Sequence, residues 1–280
     1  MNINWYPGHM KKTKESIKKN LPLVDIIYEL LDARIPISSK NPDIDYLVGN
    51  KPRIIILNKS DLSDPEKNIM WQKQLFKMGI PSILVNSLEN TGIKELINKS
   101  NELMREKRDR QEKKGIKNKS IRVMIVGIPN VGKSTLINNL SGRKGAKTGN
   151  KPGVTKGNQW IRLKNNLELL DTPGILWPKF EDKEIGLNLA FTGAIKDEIL
   201  DTETLSYKLI EKLVAICPLL LEERYNIIVS NKSTEEIFID IAQKRGCILK
   251  GGEIDYSKTS NIILDDFRKG RIGRITLETP

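Results

Sequence analysis

The stretch I-R-V-M-I-V-G-I-P-N-V-G-K-S-T, Ile121 to Thr135, decides the fold. Its first six residues are a branched, mostly apolar run suited to a strand buried on both faces. The next eight, Gly127 to Ser134, fit G-x-x-x-x-G-K-[ST], and after Thr135 the run L-I-N-N-L continues as a helix. A strand, a glycine loop and a helix in that order present successive backbone N–H groups and a helix N-terminus to an anion. Gly127 and Gly132 permit the close approach. Lys133 is expected to reach the β and γ phosphates of a nucleotide, and Ser134 to bind Mg²⁺. Val131, Gly132, Lys133, Ser134 and Thr135 are the expected phosphate-binding residues.

Outward from this stretch, short apolar runs alternate with helical patterns. Val24 to Leu31, Arg53 to Leu57 and Ile83 to Val85 read as further strands. Pro65 to Met78, with Asp64 as N-cap, and Thr91 to roughly Gln111 read as helices. Gln159 to Leu163 and Leu167 to Leu170 read as a hairpin ending at an Asp. Such alternation predicts an α/β fold with a parallel sheet covered by helices. After about Phe180 strand signals nearly vanish, and Glu184 to Ile195, Thr202 to Ile216 and Thr234 to Arg245 carry helical periodicity. The expected division is a nucleotide domain over residues 1–180 and a mostly helical domain over 181–280. The closing F-R-K-G-R-I-G-R-I-T-L-E is a basic tail for which no conformation is predicted. The dense charge between Lys99 and Arg122 reads as a solvated helix end and linker.

The base is expected to be guanine. N-K-S-D, Asn58 to Asp61, directly follows the Arg53–Leu57 strand. An Asp carboxylate there can accept from N1–H and the 2-amino group of guanine. Adenine offers neither donor and would leave the carboxylate unpaired, at a cost of about 1–3 kcal/mol or more. Asn58 is expected to bond N7 and tie the loop, and the Lys59 stem to lie over the ring. V-N-S-L-E-N-T-G follows the third strand, where Asn86 and Ser87 stand in a loop expected to approach the base. D-T-P-G, Asp171 to Gly174, ends the hairpin. Asp171 is a candidate for holding Mg²⁺ through water, and the Gly174 N–H for the γ phosphate. Thr155, in a Gly- and Lys-rich stretch, is the candidate switch threonine closing over Mg²⁺ in the triphosphate state.

The order of these parts is unusual, because Asn58–Asp61 precedes the phosphate loop. The chain resembles the circularly permuted GTPases, most closely the ribosome biogenesis GTPase A family. W-Y-P-G-H-M, D-A-R-I-P, N-K-S-D, G-I-P-N-V-G-K-S-T, D-T-P-G and the ending D-F-R-K-G-R-I-G-R-I-T-L-E carry the resemblance over almost the whole length. It implies a P-loop GTPase sheet in permuted order followed by a helical, RNA-contacting domain. It further implies a cytoplasmic factor acting late in maturation of the large ribosomal subunit, whose GTP hydrolysis ribosomal particles stimulate. Ile175 follows Asp171–Gly174 where many GTPases carry a water-orienting Gln. The resemblance assigns that role to His9, the only histidine, and marks Asn130 as a potassium-binding position whose ion would add positive charge beside the phosphates.

Composition agrees with such a partner. The 280 residues carry 47 Lys and Arg against 35 Asp and Glu, a formal net charge of +12. That excess favours a polyanion, nucleic acid or an anionic membrane surface. No apolar run approaches the roughly 20 residues that span a bilayer, and the amino terminus lacks the apolar core of a secretory signal. Basic stretches lack an amphipathic stripe with aromatic anchors, which disfavours a membrane-surface protein. Cys217 and Cys247 read as two buried thiols rather than a disulfide framework or zinc site. Lys11, Lys12, Arg143 and Lys144 are candidate footings on ribosomal RNA, and the protein is expected to be monomeric. An RNA-binding GTPase with another target, such as transfer RNA or the small subunit, is the alternative. A P-loop kinase is disfavoured by Asp61 and by the lack of an acceptor-substrate motif.

Overall fold

The computed structural model describes residues 9–115, 120–141, 159–163, 166–171 and 182–280, with the side chains of 9–13, 159 and 171 outside that description. The described residues divide into two compact units. One holds residues 9–171 and, at the far end of the chain, Glu278–Pro280; the other holds 182–277.

The first unit runs α1 (His9–Asn20), β1 (Ile26–Asp32), α2 (Pro42–Val48), β2 (Arg53–Asn58), α3 (Pro65–Lys77), β3 (Ser82–Val85), α4 (Ile93–Leu103), α5 (Arg105–Lys113), β4 (Ile121–Gly127), α6 (Lys133–Ser141), β5 (Gln159–Arg162) and β6 (Leu167–Asp171). The six strands form one sheet in the order β3-β2-β1-β4-β6-β5. All neighbours are parallel except the β5–β6 hairpin. Every residue of β1 is buried, as a central strand covered on both faces requires. One cluster joins Ile17 of α1 and Ile44, Leu47 and Val48 of α2 to Ile27, Met124, Val126 and Leu170 of the sheet. Another joins Trp71 and Leu75 of α3 to Leu31, Ile55 and Leu57. Parallel pairing puts Leu30 opposite Gly127, Asp32 opposite Asn58, and Asn58 opposite Val85, so the loops that follow β1, β2, β3 and β4 leave one edge of the sheet together.

Local chemistry explains the boundaries. Asp64 accepts from the N–H groups of Glu66 and Lys67 at 2.8 and 3.1 Å, with Pro65 at the first helical position, and so starts α3. The single helix predicted over Thr91 to Gln111 is two. α4 stops at Leu103, buried Met104 stands at the break, and α5 buries no residue. R-E-K-R-D-R-Q-E-K has no apolar stripe to hold it in line with its neighbour.

The second unit is helical: α7 (Lys183–Phe191), α8 (Thr202–Ile216), α9 (Pro218–Tyr225), α10 (Thr234–Lys244) and α11 (Tyr256–Arg268). Leu205, Leu209, Ile210 and Leu213 of α8 are fully buried, and Phe238 of α10 is stacked between Tyr207 and Tyr256 at 4.6 and 5.6 Å. Arg268 donates to the carbonyls of Phe191 and Ala190 at 3.0 and 2.9 Å, closing the C-terminal end of α7, and pairs with Asp197. Buried Asp266 accepts both arms of the Arg224 guanidinium at 2.9 and 3.0 Å. Beyond α11 the basic tail forms no helix or strand, yet Ile272, Ile275 and Leu277 are buried. Cys247 is buried, and Cys217 only partly so. Among the described residues, no helix is long and apolar enough to cross a membrane.

Candidate functional site

The site is built where the loops after β2, β3 and β4 meet. Asn58, the last residue of β2, is 1% exposed. Its Nδ2 donates to the Val131 carbonyl at 2.8 Å, and its Oδ1 accepts from the Ser87 backbone N–H at 3.2 Å and Oγ at 2.7 Å. One amide therefore ties three loops. Gly132 has φ +100, and a Cβ there would fall far inside van der Waals contact of Asn58 Nδ2. Glycine is thus required twice over, by backbone angle and by the neighbour. Gly127 is similar in part, since a Cβ would stand 2.7 Å from the Leu30 carbonyl oxygen.

The phosphate loop leads into α6, whose first residue is Lys133. The Lys133 Nζ donates to the carbonyls of Gly127 and Ile128 at 3.1 and 2.6 Å, so it bridges back across the loop. Leu136 N–H bonds to the Gly132 carbonyl, and Lys133, Ser134 and Thr135 make up the first turn of α6. Asn130 adopts φ +57, the left-handed conformation that turns the loop.

On the base side, Lys59 also has positive φ, +59. Its Nζ lies 2.9 Å from Asp32 Oδ2. Arg34 grips the same carboxylate through Nε at 2.9 Å and NH2 at 2.7 Å, and its backbone N–H adds a bond at 3.1 Å. Burial alone would raise the Asp32 pKa; the Arg34 and Lys59 charges outweigh it and hold the carboxyl well below the usual range. For Lys59, burial lowers the pKa and Asp32 opposes that drop. Asp61 is partly exposed. No hydrogen bond from the described residues engages its carboxylate, which leaves both oxygens for a ligand.

Asn86 turns back on its own loop, its Oδ1 accepting from Leu88 and Glu89 N–H at 2.9 and 3.3 Å. It shapes the loop in an Asx turn. Ser87 fixes Asn58 by Oγ, and its carbonyl accepts from Asn139 of α6. Thr155 and Gly174 lie outside the described residues, as do the side chains of His9 and Asp171. The backbone of Asp171 ends β6, paired with Gln159.

The chain is similar to known proteins in both sequence and fold. Residues 122–232 match the family model described as a 50S ribosome-binding GTPase. The chain is 46% identical over its full length to ribosome biogenesis GTPase A of Bacillus pumilus, covering 99% of that protein, and 48% identical to that of Priestia megaterium, covering 98%.

The chain belongs to the ribosome biogenesis GTPase A family.

Among solved structures, a GNP-bound YlqF from T. maritima superposes with a TM-score of 0.67 at 29% identity, over 96% of this chain and 98% of that one. A GDP-bound YlqF gives 0.68 at 28%, over 95% and 99%. The protein is thus a GTPase of α/β fold. Its strands run in circularly permuted order, with the Asn58–Asp61 loop on the second strand and the phosphate loop on the fourth. Sequence reasoning gave no role to Asp32 and Arg34, the carboxylate that holds Lys59 and the guanidinium that grips it. Asp32 and Arg34 stand in D-A-R-I-P, which marked the resemblance but carried no assigned chemistry.

Proposed function

We propose that the protein hydrolyses GTP to drive a late step in maturation of the large ribosomal subunit, with nucleotide state coupled to ribosomal RNA binding by the helical unit. The observation that carries this reading is the Asn58 junction between the base-side and phosphate loops, in a chain alike along its whole length to ribosome biogenesis GTPases.

Asp61 reads N1–H and the 2-amino group of guanine, and Lys59, anchored on Asp32, covers the ring. The amides from Val131 to Thr135 and the Lys133 ammonium receive the phosphates. Magnesium fits the donor set: Ser134 offers a hydroxyl in the first turn of α6, and Asp171 and Thr155 would add hard oxygen ligands. An ion held by these groups would supply positive charge against the phosphates. Asn130, at its left-handed turn, would hold potassium in the same role. His9 orients the attacking water, since Ile175 has no polar side-chain atom for the task. Any change at Asp171–Gly174 that depends on the γ phosphate would pull on the helical unit through Ile175 to Phe180, the residues that join them in sequence. A formal net charge of +12 suits a ribosomal RNA footing with salt-sensitive affinity, on a monomeric, cytoplasmic protein without stable membrane association.

GTPase assays with isolated large or small ribosomal subunits, in potassium against sodium, test the proposal. Stimulation by large subunits is expected, with the higher rate in potassium. Stimulation by small subunits or transfer RNA alone would redirect the assignment, and equal rates in both salts would remove the role of Asn130. Unchanged stimulated hydrolysis in His9→Ala, with normal nucleotide binding, would sink the catalytic role of His9.

A further inference from the structure

The chain's last acidic side chain is bound inside the nucleotide unit rather than left in solvent. Glu278 Oε2 accepts from the Ile37 N–H at 2.6 Å and Oε1 from the Ser38 N–H at 3.0 Å, and the Ser38 hydroxyl donates to Oε1 as well. Its own carbonyl accepts from Trp71 Nε1 of α3 at 3.4 Å. Ser38 and Ser39 are 1% and 0% exposed.

Both footholds connect to the base-reading loop, one through hydrogen bonds and one through the helix that follows it. Next to Ser38, the Ser39 Oγ accepts from the Asp32 N–H at 3.0 Å and donates to the Ile35 carbonyl at 2.7 Å. Asp32 in turn holds Lys59. On the other side, Trp71 belongs to the helix that starts at Asp64, three residues after Asp61. A carboxylate on two successive amides and a hydroxyl makes charge-assisted bonds, stronger than neutral ones and strict in geometry. Apolar tail burial alone would need no such group. Glu278 and its partners Ile37, Ser38 and Trp71 all belong to the nucleotide unit.

We infer that Glu278 is a positioning residue for guanine recognition, acting through the Ile35–Ser39 turn and α3 on Lys59 and Asp61. This rests on the GTP assignment above. It places a control point for base affinity at residue 278, far in sequence from both nucleotide loops.

The test uses full-length protein with Glu278→Ala and Glu278→Gln, the second keeping side-chain shape if the first fails to fold. Binding of mant-GDP is measured, competed by GDP and by IDP, which lacks the 2-amino group that Asp61 reads. The expected result is about tenfold weaker mant-GDP binding for Ala and about threefold for Gln. The GDP-over-IDP preference should shrink in both, and amide exchange should rise at residues 32–39 and 58–61. Wild-type affinity and base preference in the variants, whatever their melting temperature, would overturn the inference alone. A wild-type protein with no preference for GDP over ADP would overturn the guanine assignment and this inference with it.

Discussion

The Lys59 ammonium stands 2.9 Å from Asp32, a residue 27 positions earlier on the neighbouring strand. With Arg34 on the same carboxylate, two cations share one buried anion. Removing one member of a buried set leaves the others uncompensated, at a cost of about 3–5 kcal/mol. Asp32→Asn should therefore lower the urea midpoint sharply and weaken guanine nucleotide binding in the molecules that remain folded. The folded pKa is depressed, so the ion pair's contribution is present above the unfolded value, near 3.8, and fades as pH falls below it. The wild type should lose stability along that acid limb more steeply than the variant, as pH-resolved denaturation would show.

Gly132→Ala asks a Cβ to occupy the space of the Asn58 amide, at a φ that L residues rarely adopt. Strain of about 1–3 kcal/mol is expected, relieved by displacing Asn58. Because Asn58 also holds Ser87 and Val131, mant-GTP affinity should fall by more than the about tenfold that one lost hydrogen bond would explain. Fluorescence titration beside a melting curve separates the two effects.

Asp61→Asn should exchange guanine for xanthine preference. Xanthine carries a carbonyl where guanine has its 2-amino group, and the new amide N–H can donate to it. Competition of XDP against GDP reads the change directly; undiminished GDP preference would remove Asp61 from base recognition.

Glu29, in the middle of β1, is 1% exposed. Burial pushes its carboxyl up to about 7, with Arg53 at 3.0 Å opposing. Folded protein therefore keeps this proton between about pH 4.5 and 7 while the unfolded chain releases it, so stability falls as pH rises through that window. Glu29→Gln retains an acceptor for Arg53 and removes the penalty. It should stabilise the protein by about 1–3 kcal/mol at pH 8 and by little at pH 5, measured by chemical denaturation at both values.

Backbone requirements were the legible part of the sequence. The glycines at 127 and 132 and the strand before them announced the phosphate loop, because the conformation forces both spacing and residue type. Branched runs announced the parallel strands for the same reason. The Asp32–Arg34–Lys59 set was invisible, since its members lie on separate elements and no spacing rule joins them until β1 and β2 pair. The tail carried no prediction, because Ile272, Ile275 and Leu277 are interleaved with arginines and a glycine and show no helix or strand period. Glu278 illustrates the same limit, for its partners Ile37 and Ser38 lie 241 and 240 positions away.

The sheet order bears on how the chain is made. β1 has β2 on one side and β4 on the other, and β4 is synthesised about ninety residues after β1. Until it arrives, a strand whose every side chain is destined for the interior has an open hydrogen-bonding edge, which invites pairing with other chains. A ribosome-bound or truncated product ending before residue 120 should therefore be prone to aggregation, and arrival of the phosphate-binding strand closes that edge.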